Sequence, residues 1–507
     1  MGIRRDMGEL DAELDTSFGE HFIESDEMRN IMGFQSDIIF GSKGVGKTAL
    51  RRALMEIHRD RFLGVVNVDL DHISFQQVHR ALSDLRDTSQ VDIDRIASST
   101  WLNVLALYGL EAVADSLGED DDLRRRIDSF LEREKIRKKH PNERLLDQVE
   151  RFFALLGEIG LAGESGTRLW LRPSALDQVN RFPSTDDLER LLLDCQEALS
   201  RRDKPALVCL DGFDSIAQHT PEQRQVIFTG LIDAVQKAMK HELLRKVFCF
   251  KAFLPQELTD KAKAIVWDSD KYGLRTHLIT WQPSEFERLL ARRLRRFSRT
   301  KSTRFLDLWL DAMPESVRNS SHPLDEPSFD YIVRHTQYRP RQVLHHMQRI
   351  FDVWDSRSDS FKVDASIIPK VVSSTNRELA QFVVAQVAKV NPAVSTFVQS
   401  LRGGSSVMRA ERVRQKIRQV FGAQEITEVN LALDELFGFG IVGYQKATNV
   451  RMGTPRQEFH FSFVGDHHVP DLHAAIDDED YLALCPMFVE YCGCSPADCG
   501  AVVPIEI

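Results

Sequence analysis

Apolar positions along the chain change period several times. SDIIFGSKGVGKTALRRAL reads as a strand, a Gly-rich loop and a helix. GVVNVDLDHISF is rich in β-branched residues and predicts a second strand over about 64–70, with a helix over 73–86. From about 93 to 200, Leu, Val, Ile, Phe and Ala recur at three and four spacing, as in WLNVLALYGLEAVADSL, and predict helices. Within that stretch GEDDDLRRRIDSFLEREKIRKKH is so charged that it reads as a solvated helical excursion, and Ser184 with Asp187 makes a capping-box pattern.

The apolar run in PALVCLDGFD ends in an acid, a helix follows over roughly 221–240, and KVFCFKAFL and THLITW (276–281) read as two more strands. Strands alternating with helices imply a mostly parallel sheet. After Trp281 the pattern turns helical over 283–355, with Pro283 suited to a first turn. Helices over 376–400 and 408–420 and in ITEVNLALDELFGFG precede two short β-patterned runs, IVGYQ and QEFHFSFV. Helices followed by a hairpin suggest a winged helix. The last 30 residues are acidic at DDED and then Cys-rich.

The chain has 507 residues, which suggests about three domains. Apolar residues are 42% and charged residues 28%, a soluble globular composition that excludes a mostly disordered chain. The net charge of −10 does not suit a general polyanion binder, although a local basic patch could still act. No apolar run approaches the roughly 18 residues of a membrane span. The start lacks a signal-peptide core, and Asp6 breaks the myristoylation pattern after Gly2. Seven cysteines, odd in number and sparse, point to a reducing, cytoplasmic setting.

Gly41-Ser42-Lys43-Gly44-Val45-Gly46-Lys47-Thr48 fits G-x-x-x-x-G-K-[ST], with DIIF before it and a helix from Thr48 and Ala49 onward. Glycines let backbone N–H groups curl around phosphate, and the helix N-terminus adds partial positive charge. Lys47 is expected at the β- and γ-phosphates, and Thr48 on Mg²⁺. Asp211 ends an apolar strand, at the sheet edge where ligands bind, and is expected to hold Mg²⁺ through water. Asp214, three residues on, either polarises the attacking water or caps the next helix. Asp69, ending VVNVD, is the weaker alternative acid.

With GSKGVGKTAL followed by DGFD, the chain resembles the AAA+/STAND class of P-loop NTPases, and DGFD resembles the D-G-x-D of STAND ATPases. It also resembles a bacterial P-loop ATPase family with a GxKGxGKTA loop, a W-x₃-E start to the lid, a P-R lid motif and an appended winged helix. Origin-recognition-type initiators have a similar layout. The resemblance covers about 31–465, apart from much of the helical insertion.

It implies an α/β P-loop fold: a lead-in (1–30), a core (31–281) with a helical insertion at about 93–185, a helical lid (282–375), a winged helix (376–470) and a tail (471–507). It implies ATP and Mg²⁺ as ligands; the absence of N-K-x-D argues against GTP. By resemblance, KVFCFK is the sensor-1 strand with Lys251 at its polar end, either near the γ-phosphate or a solvated strand-end lysine. Trp281 to Glu285 opens the lid. Tyr338-Arg339-Pro340-Arg341 starts the sensor-2 helix, where Arg341 rather than Arg339 reaches the phosphates or lies on the lid surface. Arg224 and Arg245 are arginine-finger candidates only by position. The class implies homo-oligomers.

RLLARRLRRFSRTKSTR (288–304) holds eight Lys or Arg and no acid. It is either a phosphate-backbone contact or a solvated lid face paired with acids. The expected recognition helix offers Asn430, Asp434 and Glu435 but no cation, while the wing offers Lys446, Arg451 and Arg456. A protein partner, through the winged helix or the insertion, fits this better than nucleic acid. Cys485, Cys492, Cys494 and Cys499, with His467 and His468, do not have zinc-knuckle spacing and read as thiols of a terminal extension. The expected function is Mg²⁺-dependent ATP hydrolysis driving a conformational or assembly switch, in bacterial stress response or defence against phage. The alternatives are a nucleic-acid-dependent loader or initiator, and a non-hydrolysing scaffold.

Overall fold

A computed structural model of the chain describes residues 5, 7–69, 93–133, 186–200, 203–212, 221–256, 276–318, 325–447, 456–464, 472–494 and 501–505. The chain divides into two compact units. One comprises Asp26–Ser42 and Lys47–Leu278; the other comprises Met1–Ser25, Lys43–Gly46 and Ile279–Ile507.

The first unit is built on five strands: β1 (Asp37–Gly41), β2 (Val65–Asp69), β3 (Ala206–Asp211), β4 (Phe248–Pro255) and β5 (Thr276–Leu278). Their order is β2-β3-β4-β1-β5, and every pairing is parallel. A parallel sheet buries both faces, which is why β1, β3 and β4 read as nearly unbroken apolar runs.

The helix Ile93–Ser116 belongs to this core. Trp101, Val104, Leu105 and Tyr108 are buried on it. Gly109 makes the close approach feasible, since a Cβ there would stand 2.6 Å from the Phe248 ring. Likewise a Cβ on Gly64 would lie 1.9 Å from the carbonyl oxygen of Ala112. The stretch expected as an insertion from 93 therefore begins with a core helix.

The charged helix Asp122–Arg133, expected to be solvated, is half inside: Leu123, Ile127, Phe130 and Leu131 are buried in the same core. Their spacing makes one apolar stripe, and the charges take the rest of the surface. The Ser184–Asp187 cap and the 73–86 helix lie outside the described residues or their side chains.

In the second unit, Pro283 occupies the first turn of Pro283–Leu294, and Glu285 Oε2 accepts from the N–H of Gln282, the residue before that turn, at 2.9 Å. The helices Phe305–Ala312, Ser328–Arg334 and Pro340–Asp355 follow, interrupted by an antiparallel hairpin of β6 (Ser316–Arg318) and β7 (Asp325–Pro327). That hairpin is absent from the sequence-based expectation because three-residue strands carry too little periodicity to be seen.

A second sheet contains β8 (Val407–Arg409), β9 (Val442–Gln445), β10 (Arg456–His460), β11 (Tyr481–Leu484) and β12 (Ala501–Ile505). Its order is β12-β10-β9-β11-β8. The helices Ala410–Phe421 and Ile426–Gly438 run between β8 and β9. The stretch expected as a tail from 471 thus differs from expectation. It supplies β11, hydrogen-bonded to β8 on one side and β9 on the other, and β12 beside β10. Cys485, Cys492 and Cys494 are buried there, while His467, His468 and Cys499 lie outside the described residues.

Four arginines of Pro283–Leu294 and the turn after it, Arg288, Arg292, Arg293 and Arg296, meet neither solvent alone nor a row of acids. They hold the segment 7–24 mainly by its backbone. Arg288 donates to Glu24 O at 2.9 Å, Arg292 to Phe22 O, and Arg293 to Met7 O at 2.6 Å. Arg296 donates to His21 Nε2 at 3.0 Å, and His21 Nδ1 lies 2.7 Å from Asp15. Four-residue spacing from Arg288 to Arg292 to Arg296 lines these groups along one helix face.

Candidate phosphate-binding site

Strand β1 ends at Gly41, and the helix Lys47–Arg52 begins six residues later. Gly44 (φ +85°) and Gly46 (φ +111°) take left-handed conformations that glycine alone adopts without strain. Lys47 Nζ donates to Gly41 O at 2.7 Å and lies 3.4 Å from Ser42 O, so the ammonium is held at the base of the loop. Thr48 and Ala49 complete the first turn, both half-buried.

Asp211 ends β3 at the same edge of the sheet. Thr48 Oγ1 donates to Asp211 Oδ2 at 3.4 Å, joining groups 163 residues apart in the chain. Gly212 N donates to the other carboxylate oxygen at 2.9 Å, with Gly212 at φ +88°. Hydroxyl and carboxylate oxygens are the hard donors that Mg²⁺ selects, and they fit that ion. Asp69 is in register with Asp211 on the neighbouring strand and is exposed. Asp214 lies outside the described residues.

Arg51 was not expected from the sequence. Its Nε donates to Asp211 Oδ2 at 3.1 Å, and both side chains are mostly buried, at 10% and 15% exposure. A signal existed: Arg51 stands four residues after Lys47 and three after Thr48, on the same helix face.

Lys251 is a correction. It sits in the middle of β4, in register with Asp37 at the start of β1, whereas Gly41 is in register with Pro255. Four residues at about 3.3 Å each put it roughly 13 Å back from the loop end of the sheet. Its Nζ pairs with Asp37 and donates to Gln35 O at 2.7 Å, with no exposure at either charged side chain. It is neither a phosphate sensor nor a solvated strand-end lysine. Arg245 is exposed in the helix Glu242–Val247, and Arg224 lies in Pro221–Lys240 with its side chain outside the described set.

In the second unit, the loop residues Lys43–Gly46 are bonded to Trp281, Arg339 and Arg341. Trp281 Nε1 donates to Val45 O at 2.8 Å, Arg341 N to Gly44 O at 3.4 Å, and Arg339 Nη1 to Lys43 O at 3.3 Å. A Cβ on Gly44 would stand 3.3 Å from Arg341 Cβ. The Arg341 guanidinium lies 3.6 Å from Asp11. Trp281 stacks on Phe286 at 5.4 Å, and Tyr338 meets Phe286 edge-on at 5.9 Å. Tyr338 holds φ +50°, costly for a non-glycine, with its N–H donating to Thr336 Oγ1 at 3.1 Å.

The expected recognition-helix acids are engaged: Asp434 accepts from His473 N at 2.9 Å, and Glu435 from Asn391 at 2.7 Å. Lys446 pairs with Asp480 at 3.0 Å, Arg451 lies outside the described residues, and the Arg456 side chain is not described. Among the described residues, no group of three or more His, Cys, Asp or Glu could hold a metal. No described helix is long and apolar enough to cross a membrane.

No protein-family model matches the sequence, and no curated protein matches it by sequence similarity. Among solved structures, a Walker-type ATPase of Pyrococcus abyssi is 13% identical, covering 93% of this chain and 96% of that one at a TM-score of 0.39. The ORC2 protein of Aeropyrum pernix, in ADPNP–ADP complexes, is 12% identical, covering 90% and 87% at 0.36. Its ADP form is 13% identical, covering 90% and 86% at 0.31. Scores this low carry no weight for function. The α/β P-loop fold rests on the five-stranded parallel sheet and on the strand–loop–helix passage Asp37–Arg52.

Proposed function

We propose that the chain binds ATP with Mg²⁺, hydrolyses it, and uses the cycle to drive a conformational or assembly switch. One observation carries this reading: the Thr48 hydroxyl and the Asp211 carboxylate meet at 3.4 Å at the end of a glycine-rich loop. Lys47 neutralises phosphate charge, and the N–H groups of Gly44 to Ala49 cradle it. Thr48 and Asp211 hold the metal, whose charge stabilises the transferring phosphoryl group. Asp214 orients the attacking water. Arg341, next to Gly44 through its main chain, is the lid cation that reports nucleotide state. No covalent intermediate is required, because positioning and charge stabilisation suffice for phosphoryl transfer.

The run of β8, two helices, β9 and β10 is read as a winged helix that docks protein, and the assembly as a homo-oligomer. Support for docking protein is the exposed face of Ile426–Gly438, which carries Ile426 and Leu431 beside acids and no cation. The nucleic-acid reading has less support: the arginines at 288, 292, 293 and 296 are bonded to the segment 7–24, and Lys446 is paired. A setting in stress response or defence against phage rests on the family resemblance alone.

The test is steady-state ATP hydrolysis with and without double-stranded DNA, with Lys47→Ala as control and light scattering for size. Lys47-dependent turnover, indifferent to DNA and accompanied by ATP-driven assembly, is the expected result. Several-fold stimulation by DNA with a steep salt dependence would replace the switch by a loader. Tight ATP binding without turnover would leave a scaffold.

A further inference from the structure

We propose that Cys492 and Cys494 form a reversible dithiol–disulfide site, oxidised by hydrogen peroxide and restored by a small thiol. Tyr491-Cys492-Gly493-Cys494 closes the helix Pro486–Tyr491. Gly493 N donates to Glu490 O at 3.1 Å and Cys494 N to Val489 O at 2.9 Å, with Gly493 at φ +58°. Those two bonds and the left-handed glycine make a Schellman turn, which fixes the backbone on both sides of the glycine. Gly403 N pins the same turn from outside, donating to Cys492 O at 3.1 Å. Residues two apart in backbone of helical curvature stand about 5.5 Å apart at Cα. That lies within the roughly 4.4–6.8 Å that a disulfide spans.

The thiols are within hydrogen-bonding reach of one another, and their exposure is 2% for Cys492 and 8% for Cys494. In the neutral pair, Cys492 Sγ has Val398 O as acceptor at 3.5 Å, and Cys494 Sγ has Leu401 O at 3.3 Å. Burial alone makes a thiol inert and pushes Cys485 and Cys195 up to about 12. Cys494 goes the other way. Its sulfur accepts from the Cys492 thiol and from Gly404 N and feels the charge of Lys416, which together outweigh burial and hold it below the ordinary thiol value. The shared proton and burial push Cys492 up. Cys494 is therefore the nucleophile and Cys492 the resolving thiol. The Cys494 thiolate attacks one peroxide oxygen; the O–O bond breaks, and the hydroxide released takes a proton and leaves as water. Cys492 sulfur then attacks the sulfenic sulfur, and its proton leaves with the hydroxyl as a second water. Two thiols are oxidised to one S–S bond and one peroxide is reduced to two waters. Two molecules of a small thiol reverse the step and leave as their own disulfide. A peroxide is small enough for the little surface that Cys494 shows.

The experiment exposes the full native chain to hydrogen peroxide, blocks free thiols with N-ethylmaleimide in denaturant, and weighs the peptide that a glutamate-specific protease releases after Glu490. That peptide also carries Cys499, so Cys499→Ser is run beside the wild type. The expected result is loss of two hydrogens and of alkylation at both Cys492 and Cys494, in the wild type and Cys499→Ser alike, reversed by excess β-mercaptoethanol. Cys485 and Cys195 stay fully alkylated at the same dose. Cys492→Ser leaves a sulfenic acid on Cys494 that dimedone traps, whereas Cys494→Ser leaves Cys492 fully alkylated. If these two variants melt early by circular dichroism, the wild type and Cys499→Ser decide the question without them. Full alkylation of Cys492 and Cys494 after peroxide overturns the inference, and so does a disulfide that disappears in Cys499→Ser.

Discussion

Lys251 and Asp37 face each other across β4 and β1 with neither side chain exposed. The ammonium also donates to Ile31 O at 2.5 Å and Gln35 O at 2.7 Å, so its three protons are all used. Removing one member of a buried pair strands the other's charge. Lys251→Met is therefore expected to cost about 3–5 kcal/mol in urea denaturation. ADP affinity at a temperature where the variant stays folded is expected to match the wild type, since Lys251 lies far from the loop end of the sheet. A selective loss of affinity would restore the sensor role.

His277 on β5 extends this cluster. Its Nε2 lies 3.3 Å from Asp37, and its Nδ1 2.5 Å from Glu27. Burial by itself lowers the imidazole's pKa, but the hydrogen bonds and charges of Asp37 and Glu27 outweigh it and hold the pKa above the ordinary 6.5. Lys251, bound to the same Asp37, is the opposing cation in the cluster. A folded-state pKa above the unfolded one means stabilisation that is complete below about pH 6.5 and is lost as pH rises through the folded value. Wild type is expected to lose stability across that window, and His277→Gln to lose the dependence. Melts at several pH values, with an NMR titration of the imidazole, check both.

The place of Asp211 was legible in the sequence because an apolar run ending in an acid marks the end of a strand in a parallel sheet. The strand–loop–helix passage was legible because Gly44 and Gly46 stand where the turn needs left-handed backbone. Lys251 was misread because a strand's register is invisible in one dimension. An interior lysine looks like a strand-end lysine until its partner, Asp37, is found four residues before the loop. The charged helix Asp122–Arg133 was misread because charge density hid the stripe Leu123, Ile127, Phe130 and Leu131. Arg51 was missed because nothing along the chain sets it apart from its neighbour Arg52. Arg52 in fact bonds Glu56 one turn on, while Arg51 turns to Asp211.

Thr48 and Asp211 make a paired prediction. Asp211→Asn keeps the shape but removes the charge that attracts a divalent ion. Turnover is expected to drop by about a hundredfold or more, the scale of losing one electrostatic group at a phosphoryl-transfer centre. Thr48→Ala is expected to lower turnover too. On the proposal that both hold one ion, adding Thr48→Ala to Asp211→Asn should cost far less than the product of the two single losses. Multiplicative losses in a double-mutant cycle would mean that they act separately.

Arg293 holds the start of the chain. It is buried, donates to Met7 O at 2.6 Å and Glu9 O at 3.3 Å, and lies 3.5 Å from Asp15. Arg293→Ala leaves those carbonyls without their charged donor, worth about 1–3 kcal/mol. Cleavage by a glutamate-specific protease within 9–24 is expected to speed up, with the rest of the chain cut no faster. Uniform acceleration would mean global unfolding rather than release of this segment.

The stretch from 471 onward differs from its expectation as a tail and yields the sharpest test of where the second unit ends. Strand β11 lies between β8 and β9, and Leu482, Ala483 and Leu484 are buried on it. Asp480, just before the strand, accepts from Lys446 at 3.0 Å and from Ala447 N at 2.8 Å, tying it to the end of β9. A central strand cannot be removed without exposing the edges of both neighbours, and exposed edges aggregate. Truncation after Val469 is therefore expected to give insoluble protein, whereas loss of a terminal extension would be silent. Leu482→Ala, which leaves the strand in place, is expected to cost about 2–5 kcal/mol and remain soluble. ATP turnover by that soluble variant, measured well below its melting temperature, should stay near wild type, because Lys47, Thr48 and Asp211 belong to the other unit. A truncated chain that stays soluble and melts like the full one would return 471–507 to the status of a tail.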